Sequence, residues 1–149
     1  MASSSSKSSF FLLLVLATII IIPSPNFRRV KAIPLFAKVD VEIINDLDDS
    51  GNDLTIHCKY KGDDRGVHTI APGTRYMFKF TPSWIWRTVF HCNFTWVTDP
   101  QIHHFTIYDQ FKVRDRFCRN CTWKIKDYVV GPCKYDRDTG DYDDCYPWG

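Results

Sequence analysis

The sequence predicts an all-β protein, a small antiparallel β-sandwich in a single domain that disulfides hold together. Apolar and polar residues alternate in six short runs, which is the pattern of strands with one buried face and one wet face. β-branched and aromatic residues fill these runs, and no stretch after Ala32 repeats apolar residues at helical spacing. Because nearly every run has an apolar face to cover, two packed sheets are favoured over one open sheet.

Each predicted strand is a run in which every second residue is apolar, and turn-forming residues separate the runs. The predicted strands are residues 39–43, 54–59, 76–80, 90–96, 105–107 and 121–126. Clusters rich in Asp, Asn, Gly and Pro predict turns at residues 46–52, 61–66, 72–73, 99–100 and 131–132. Within the strands, the alternation places Cys58, Cys92 and Cys121 on buried faces.

Residues 1–32 are interpreted as a secretory signal peptide that is cleaved after Ala32. A Ser-rich start carrying Lys7 leads into the almost entirely apolar residues 10–22, and Pro23 follows. At about 1.5 Å of rise per residue, this apolar segment is shorter than the ~30 Å hydrocarbon core of a membrane, so a membrane anchor is the disfavoured alternative. The mature chain is therefore predicted to be secreted to the extracellular space, without insertion into a membrane.

The mature chain is predicted to contain one β-sandwich domain, residues 33–133, and an acidic tail, residues 134–149, pinned by Cys145. Four of the 19 basic residues leave with the signal peptide, so 15 face 17 acidic residues and the net charge becomes −2. No basic patch interleaved with aromatic residues remains, which argues against nucleic-acid binding. The basic segment 112–116 contains Asp115 and is interpreted as a solvated turn. The tail is interpreted as a polar extension rather than an acidic interaction arm or a calcium loop.

Six cysteines follow the signal peptide, and an even number in an exported chain predicts three disulfides. They are Cys58, Cys92, Cys118, Cys121, Cys133 and Cys145. Counting alone leaves 15 connectivities open. The favoured pairing joins the inward Cys92 and Cys121 inside the sandwich, ties an early strand to the end of the domain by Cys58–Cys133, and pins the tail by Cys118–Cys145. The alternatives are a four-thiolate zinc site and a redox-active C-x-x-C pair, both disfavoured in a secreted chain. No metal or other cofactor is predicted.

Two sequons become meaningful in an exported chain, Asn93-Phe-Thr and Asn120-Cys-Thr. Each is a predicted N-glycosylation site if it faces solvent during folding. The alternation turns Asn93 outward, so its place on a strand and its sequon agree. The second sequon contains Cys121, whose oxidation would compete with glycan transfer. Asn93 is therefore the favoured acceptor.

Eight fragments follow one another in an order that is typical of a known family. They are residues 41–46, 54–59, 63–73, 76–80, 86–96, 105–108, 118–125 (Cys118-x-x-Cys121-Thr-Trp123-Lys-Ile125) and 131–133. On these fragments, in a match that covers roughly residues 39–133, the chain resembles the plant self-incompatibility proteins of the poppy type, the S-protein homologues. The resemblance implies a small secreted β-sandwich with internal disulfides. The founding members of the family are pistil ligands for a pollen-surface receptor that trigger the rejection of self pollen.

The leading hypothesis is a secreted, monomeric, non-enzymatic ligand that binds a cell-surface protein receptor in cell–cell signalling of this or a related type. Charged loops on a disulfide-bonded scaffold are the predicted partner-binding site, because the residues that recognise a partner usually belong to loops that a rigid scaffold positions. The candidate residues are Asp46, Asp48, Asp49, Asp63, Asp64 and Arg65, the last standing where the family commonly has Leu.

Two other function classes are weighed against the ligand. A secreted ribonuclease would need two histidines converging on a phosphate, and His57 and His91, both outward, are the strand candidates. The sequence around them resembles no ribonuclease active site, so this class is disfavoured. A defence effector or inhibitor is the stronger alternative, since small disulfide scaffolds often serve that way. Residues 84–86, Trp-Ile-Trp, have two interpretations. An exposed apolar interaction loop is one, and the favoured one is that these side chains close one end of the core.

Overall fold

The computed structural model describes residues 37–47 and 51–149 of the chain. The predicted signal peptide and the acidic residues Asp48 and Asp49 lie outside the described residues. The strands are β1 (Val39–Asn45), β2 (Leu54–Tyr60), β3 (Asp63–Ile70), β4 (Arg75–Phe80), β5 (Val89–Trp96), β6 (Asp99–Asp109), β7 (Asn120–Ile125), β8 (Pro132–Lys134) and β9 (Asp144–Cys145). Among these residues no helix is long and apolar enough to span a membrane.

The strands build two sheets that share one core, which confirms the predicted all-β sandwich in a single domain. One sheet has five strands in the order β4-β1-β7-β8-β9, and the other has four in the order β3-β2-β5-β6. Neighbouring strands run antiparallel, except that β1 and β7 are parallel. The six predicted strands correspond to β1, β2, β4, β5, β6 and β7.

The alternation does not predict the other three strands. β3 occupies most of the segment 61–66, so the prediction of a turn there is wrong beyond residues 61 and 62. β3 is a largely exposed edge strand, and a strand that buries neither face shows no alternation of apolar and polar residues. β8 and β9 have three and two residues, too few to show a period. The turn predicted at 99–100 lies at 97–98, and β6 begins immediately after it.

The core lies between the sheets and is built from the inward residues of the alternating strands. The ring of Phe90 lies 5.1 Å from that of Phe78 and 4.6 Å from that of Phe80, measured between centroids. Phe105 packs edge-on against Trp123 at 5.2 Å. In each of these pairs the two rings come from different sheets, and an aromatic pair contributes about 0.5–1.5 kcal/mol beyond its buried area. These contacts therefore hold the two sheets together.

All six cysteines form disulfides, so the prediction of three disulfides is confirmed, but each predicted pairing is wrong. The bonds are Cys58–Cys92, Cys118–Cys121 and Cys133–Cys145. The first bond joins directly opposite residues of β2 and β5, and the third joins opposite residues of β8 and β9. Opposite residues of one sheet have Cβ atoms about 4.5–5.5 Å apart, whereas packed sheets lie ~10 Å apart. Each observed bond thus joins cysteines that strand pairing or the chain itself places side by side, whereas Cys92–Cys121 would join the two sheets.

The end of the tail packs against the sandwich, which its polar composition does not predict. The Cys133–Cys145 bond fixes β9 to β8, and the chain continues from there across the core. Trp148 contacts the rings of Phe94, Trp96 and His103, with centroids 4.9–6.1 Å from its own. The last residues therefore cover apolar surface of β5 and β6.

The segment between β6 and β7 holds a buried ionic cluster, so its interpretation as a solvated turn is wrong for Arg114 and Asp115. The fully buried Asp115 carboxylate accepts hydrogen bonds from the Arg114 guanidinium at 2.9–3.1 Å and from the Lys134 ammonium at 3.1 Å. It also accepts one from the backbone N–H of Asp109 at 2.9 Å. The guanidinium lies 4.8 Å from the ring centroid of Trp123. Charge-assisted bonds thus tie this loop to the core and to β8.

Candidate interaction surface

The two histidines considered for a ribonuclease lie on the outer face of the four-stranded sheet, where neighbouring side chains hold them. His57 Nε2 lies 2.8 Å from the carboxylate of Asp64, and His91 Nδ1 lies 3.1 Å from the hydroxyl of Thr106. In the pairing of β2 with β5, His57 stands opposite Asn93, so the two imidazoles are not opposite each other. Among the described residues, no group of three or more His, Cys, Asp or Glu side chains could hold a metal ion.

The predicted partner-binding residues lie at opposite ends of the sandwich rather than on one surface. Asp46 follows β1 and precedes β2, whereas Asp63 follows β2 as the first residue of β3. β2 has seven residues, which at about 3.4 Å each separates its two ends by roughly 20 Å. The Asp46 carboxylate lies 3.5 Å from the ammonium of Lys124. The other candidates of that loop, Asp48 and Asp49, lie outside the described residues.

Asp63, Asp64 and Arg65 belong to the edge strand β3, so the prediction that they form a loop is wrong. The Arg65 guanidinium donates to the Asp63 carboxylate over 2.6 Å. The backbone N–H of Gly66 donates to Asp64 and, with the side chain of His57, holds the pKa of that carboxyl well below its usual range. Charges of this kind on an edge strand oppose its pairing with another chain. The position of these three residues on an edge strand corrects their predicted loop placement, while their predicted role in partner binding stays a prediction.

Four large apolar side chains stand exposed at the end of the sandwich where β4 ends and β5 begins. Trp84, Ile85, Trp86 and Phe111 expose 74%, 57%, 63% and 66% of their surface, respectively, and we call these four residues the tryptophan platform. The first three follow β4, and the fourth follows β6, whose last residue pairs with the first residue of β5. The prediction that residues 84–86 close one end of the core is therefore wrong.

Hydrogen bonds order the platform although its side chains are not packed in the core. The hydroxyl of Ser83 accepts from the backbone N–H groups of Ile85 at 3.3 Å and Trp86 at 3.1 Å. Gln110 joins the two loops, because its side-chain amide donates to the Ser83 carbonyl and accepts from the Thr88 backbone N–H, each over 3.0 Å. A preordered surface loses less conformational entropy when a partner covers it.

Two cations border the platform. The half-exposed Arg87 guanidinium forms a two-pronged ion pair with the buried carboxylate of Asp109 and lies 5.6 Å from the ring centroid of Phe111. The hydrogen bond from Arg87 is the main reason that the pKa of Asp109 lies below its usual range. The Lys61 ammonium lies 5.2 Å from the ring centroid of Trp86. Such contacts contribute about 0.5–1 kcal/mol at exposed sites, so they help to orient the two rings.

This arrangement suits the binding of another protein. Tryptophan and arginine are enriched among the residues that dominate interface energies, and large exposed apolar patches are typical of interaction sites. The sequence signals only part of it: Trp84-Ile-Trp86 falls outside the alternating runs and follows Pro82, which marks a loop. Nothing in the sequence connects that loop with Arg87's partner Asp109 or with Phe111, because the pairing of β5 with β6 brings them together.

Comparison with known proteins places the whole sandwich, including the tail, in one family. The family model described as plant self-incompatibility protein S1 matches residues 40–148. S-protein homolog 2 of Arabidopsis thaliana is 38% identical over 134 residues, which cover 85% of this chain and 79% of that protein. S-protein homolog 5 of the same plant is 42% identical over 100 residues, 66% of this chain and 70% of that protein. No solved structure shows significant similarity to the chain. The matches agree with the resemblance carried by the sequence fragments, and the chain belongs to the plant self-incompatibility protein S1 family.

Proposed function

We propose that this protein is a secreted plant ligand that binds a protein receptor on a cell surface through the tryptophan platform. Its role belongs to cell–cell signalling, either the rejection of self pollen or a related process. The observation that carries the proposal is the exposure of Trp84 and Trp86 on loops that hydrogen bonds hold in place.

A partner that covers the platform removes a large apolar area from water. A tryptophan side chain buries about 150–250 Å² when it is enclosed, so the exposed 74% of Trp84 offers roughly 150 Å². At about 25 cal/mol per Å², that area corresponds to ~3–4 kcal/mol, an upper bound before the costs of association. Trp86 offers a similar area on the same loop. Two rings of this size can anchor an interface in which most other contacts contribute little.

Secretion and a monomeric state belong to the same proposal. Three disulfides are typical of a small protein that folds in an oxidising compartment, which supports export by the predicted signal peptide. Both sheets bury their apolar faces within one chain, so the core needs no second copy. The proposal includes no catalysis, and the separate hydrogen-bond partners of His57 and His91 support that reading.

Saturable binding of the secreted, oxidised protein to intact plant cells, pollen included, tests the proposal. Thr88 lies two residues after Trp86, so W86N creates an Asn-Arg-Thr acceptor that places a glycan on the platform. W86Q removes the same ring without adding a glycan. We expect W86Q to weaken binding tenfold or more, corresponding to about 1.4 kcal/mol, and W86N to abolish it.

Two controls define the outcome. D46N lies at the other end of the sandwich and should bind like the unmodified protein, whereas loss of binding in D46N alone would assign the site to the predicted acidic loop. Secretion yield and thermal unfolding show whether W86N and W86Q remain folded. Unchanged binding by folded, glycosylated W86N would refute the platform. Binding to microbial cells but to no plant cell would favour the defence effector instead.

A further inference from the structure

The outer face of the four-stranded sheet is polar, and Asn93 stands at its centre. In the strand pairing, Asn93 on β5 has His57 of β2 on one side and His104 of β6 on the other. His91 and Thr95 occupy the same face of β5, two residues before and after it. Each of these neighbours is a polar side chain that is at least partly exposed. A group attached to Asn93 would therefore extend over this face without displacing apolar packing.

The Asn93 amide is oriented so that its nitrogen is free. Its oxygen Oδ1 lies 2.8 Å from Nδ1 of His104, and since an amide oxygen only accepts, the imidazole nitrogen donates this hydrogen bond. The amide nitrogen Nδ2 makes no hydrogen bond to a described residue. Because it is not one of the buried atoms without a partner, it is accessible to solvent. Nδ2 is the atom that carries an N-linked glycan. The attached form keeps the carbonyl oxygen, so the bond to His104 persists.

The second sequon is constrained by a disulfide. Asn120 lies between Cys118 and Cys121, which are bonded to each other, so the acceptor residue sits inside a closed ring of four residues. Cys121 is fully buried, and the hydroxyl of Thr122 donates to the carboxylate of Glu42 over 3.2 Å. Phe94, the middle residue of the first sequon, is just as buried, so the closed ring around the exposed Asn120 is what distinguishes the second sequon. Glycan transfer to Asn120 requires that the ring is still open.

We propose that the protein carries one N-linked glycan, on Asn93 and not on Asn120, and that this glycan covers the outer face of the four-stranded sheet. The inference rests on the export included in the proposed function. Asn93 lies four residues after Val89, the first residue of β5, and thus about 14 Å from the end that carries the tryptophan platform. The glycan shields the face with His57 and His91 and leaves the platform open to a partner.

The test uses the full chain expressed in plant cells, with the mature protein collected from the medium and its intact mass measured before and after enzymatic deglycosylation. We expect one glycan on the unmodified protein and on T122A, and none on T95A or N93Q. In C118S the ring cannot close while the Asn120 sequon stays intact, so we expect a second glycan on Asn120. Secreted protein without a glycan on Asn93 would overturn the inference, as would a glycan on Asn120 of the unmodified protein.

Failure of this inference and failure of the proposed function give different results. Retention of the chain inside the cells would refute export, whereas a secreted protein without the expected glycan refutes only the modification. The shielding is tested by cell binding: deglycosylated protein should bind cells as well as the glycosylated form, whereas the added glycan of W86N should block binding. A clear change in binding on deglycosylation would place the glycan at the binding surface. It would refute the proposal that the glycan and the partner occupy different surfaces.

Discussion

Replacing Asp115 with Asn tests the buried ionic cluster that joins the β6–β7 loop to β8. D115N keeps the size and shape of the side chain and removes its charge. The Arg114 and Lys134 side chains, each about nine-tenths buried, then lose the one carboxylate that both of them contact. The amide oxygen of the variant can still accept hydrogen bonds, but it neutralises neither cation.

The expected cost follows from the burial of the two cations. Removing one partner of a buried ion pair destabilises a protein by about 3–5 kcal/mol, because the other charge stays buried without compensation. We expect ~3 kcal/mol at neutral pH, the lower end of that range, since the variant retains a hydrogen-bond acceptor. With a urea dependence of about 2 kcal/mol per M, the unfolding midpoint should fall by ~1.5 M. A loss of this size is a large part of the stability of a small domain.

The pH dependence of the destabilisation by D115N distinguishes the loss of the charge from a change in side-chain shape. Burial is the main cause that lowers the pKa of Lys134 below its ordinary 10.5, and the Asp115 carboxylate opposes that shift. D115N removes the opposing charge, so Lys134 in the folded variant should lose its proton at lower pH. Between that pKa and 10.5 the unfolded chain binds more protons than the folded one, so stability rises with pH. The destabilisation by D115N should therefore shrink as the pH rises from 7 towards 10.

Urea unfolding of the oxidised, mature protein, followed by tryptophan fluorescence at several pH values, measures both effects. D138N is the matched control, because Asp138 is exposed and none of the ion pairs among the described residues includes it. Its free energy of unfolding should stay within about 0.5 kcal/mol of the unmodified protein. A cost for D115N as small as that of D138N would refute the argument, and so would a cost that does not change with pH.

Two further predictions concern the tail and the tyrosines Tyr108, which is buried, and Tyr146, which is partly buried. Replacing Cys133 and Cys145 together by Ser should free β9 and expose Trp148, which shifts tryptophan emission to the red; an unchanged spectrum would show that packing alone holds the tail. Burial raises the pKa of Tyr108 to about 12 and also raises that of Tyr146, above the ordinary 10.0. Their contribution to the free energy of unfolding is complete below pH 10 and is lost as the pH rises towards 12, so the urea midpoint should fall over this range. The absorbance of their tyrosinate forms should appear at higher pH than that of free tyrosine. Complete ionisation of all tyrosines near pH 10 would contradict this prediction.

The alternating strands were predictable because each of them buries one face. β1, β2, β5 and β7 place apolar residues at every second position, and this period survives whatever strand lies beside them. β3 was not predictable because it is an exposed edge strand, and a strand that buries neither face shows no alternation of apolar and polar residues. The burial of Asp115 was not predictable either, because it depends on the two cations that satisfy its charge. Only Arg114 is a neighbour in the chain, whereas Lys134 belongs to β8.

The candidate surface was predictable in composition but not in place. Trp84 and Trp86 are visible as an apolar run outside the alternation, yet apolar composition alone favours burial over exposure. Their exposure depends on loops that Gln110 and Arg87 connect at one end of the sandwich. The acidic loop residues, by contrast, are predicted from turn-forming composition, and composition does not show that β2 separates Asp46 from Asp63.

The sequence by itself determined the fold class, the inward and outward positions of the alternating strands, the number of disulfides and the family. Each of these depends on local period, composition or an ordered set of short fragments, which the chain carries regardless of its neighbours. The tertiary structure alone decided which cysteines bond, which charges meet Asp115 and which loops share one end. Strand pairing makes the partners of two of the disulfides adjacent and brings the two loops of the tryptophan platform to one end. A period of two assigns a side chain to a face of its strand but does not specify the neighbouring strand or its register.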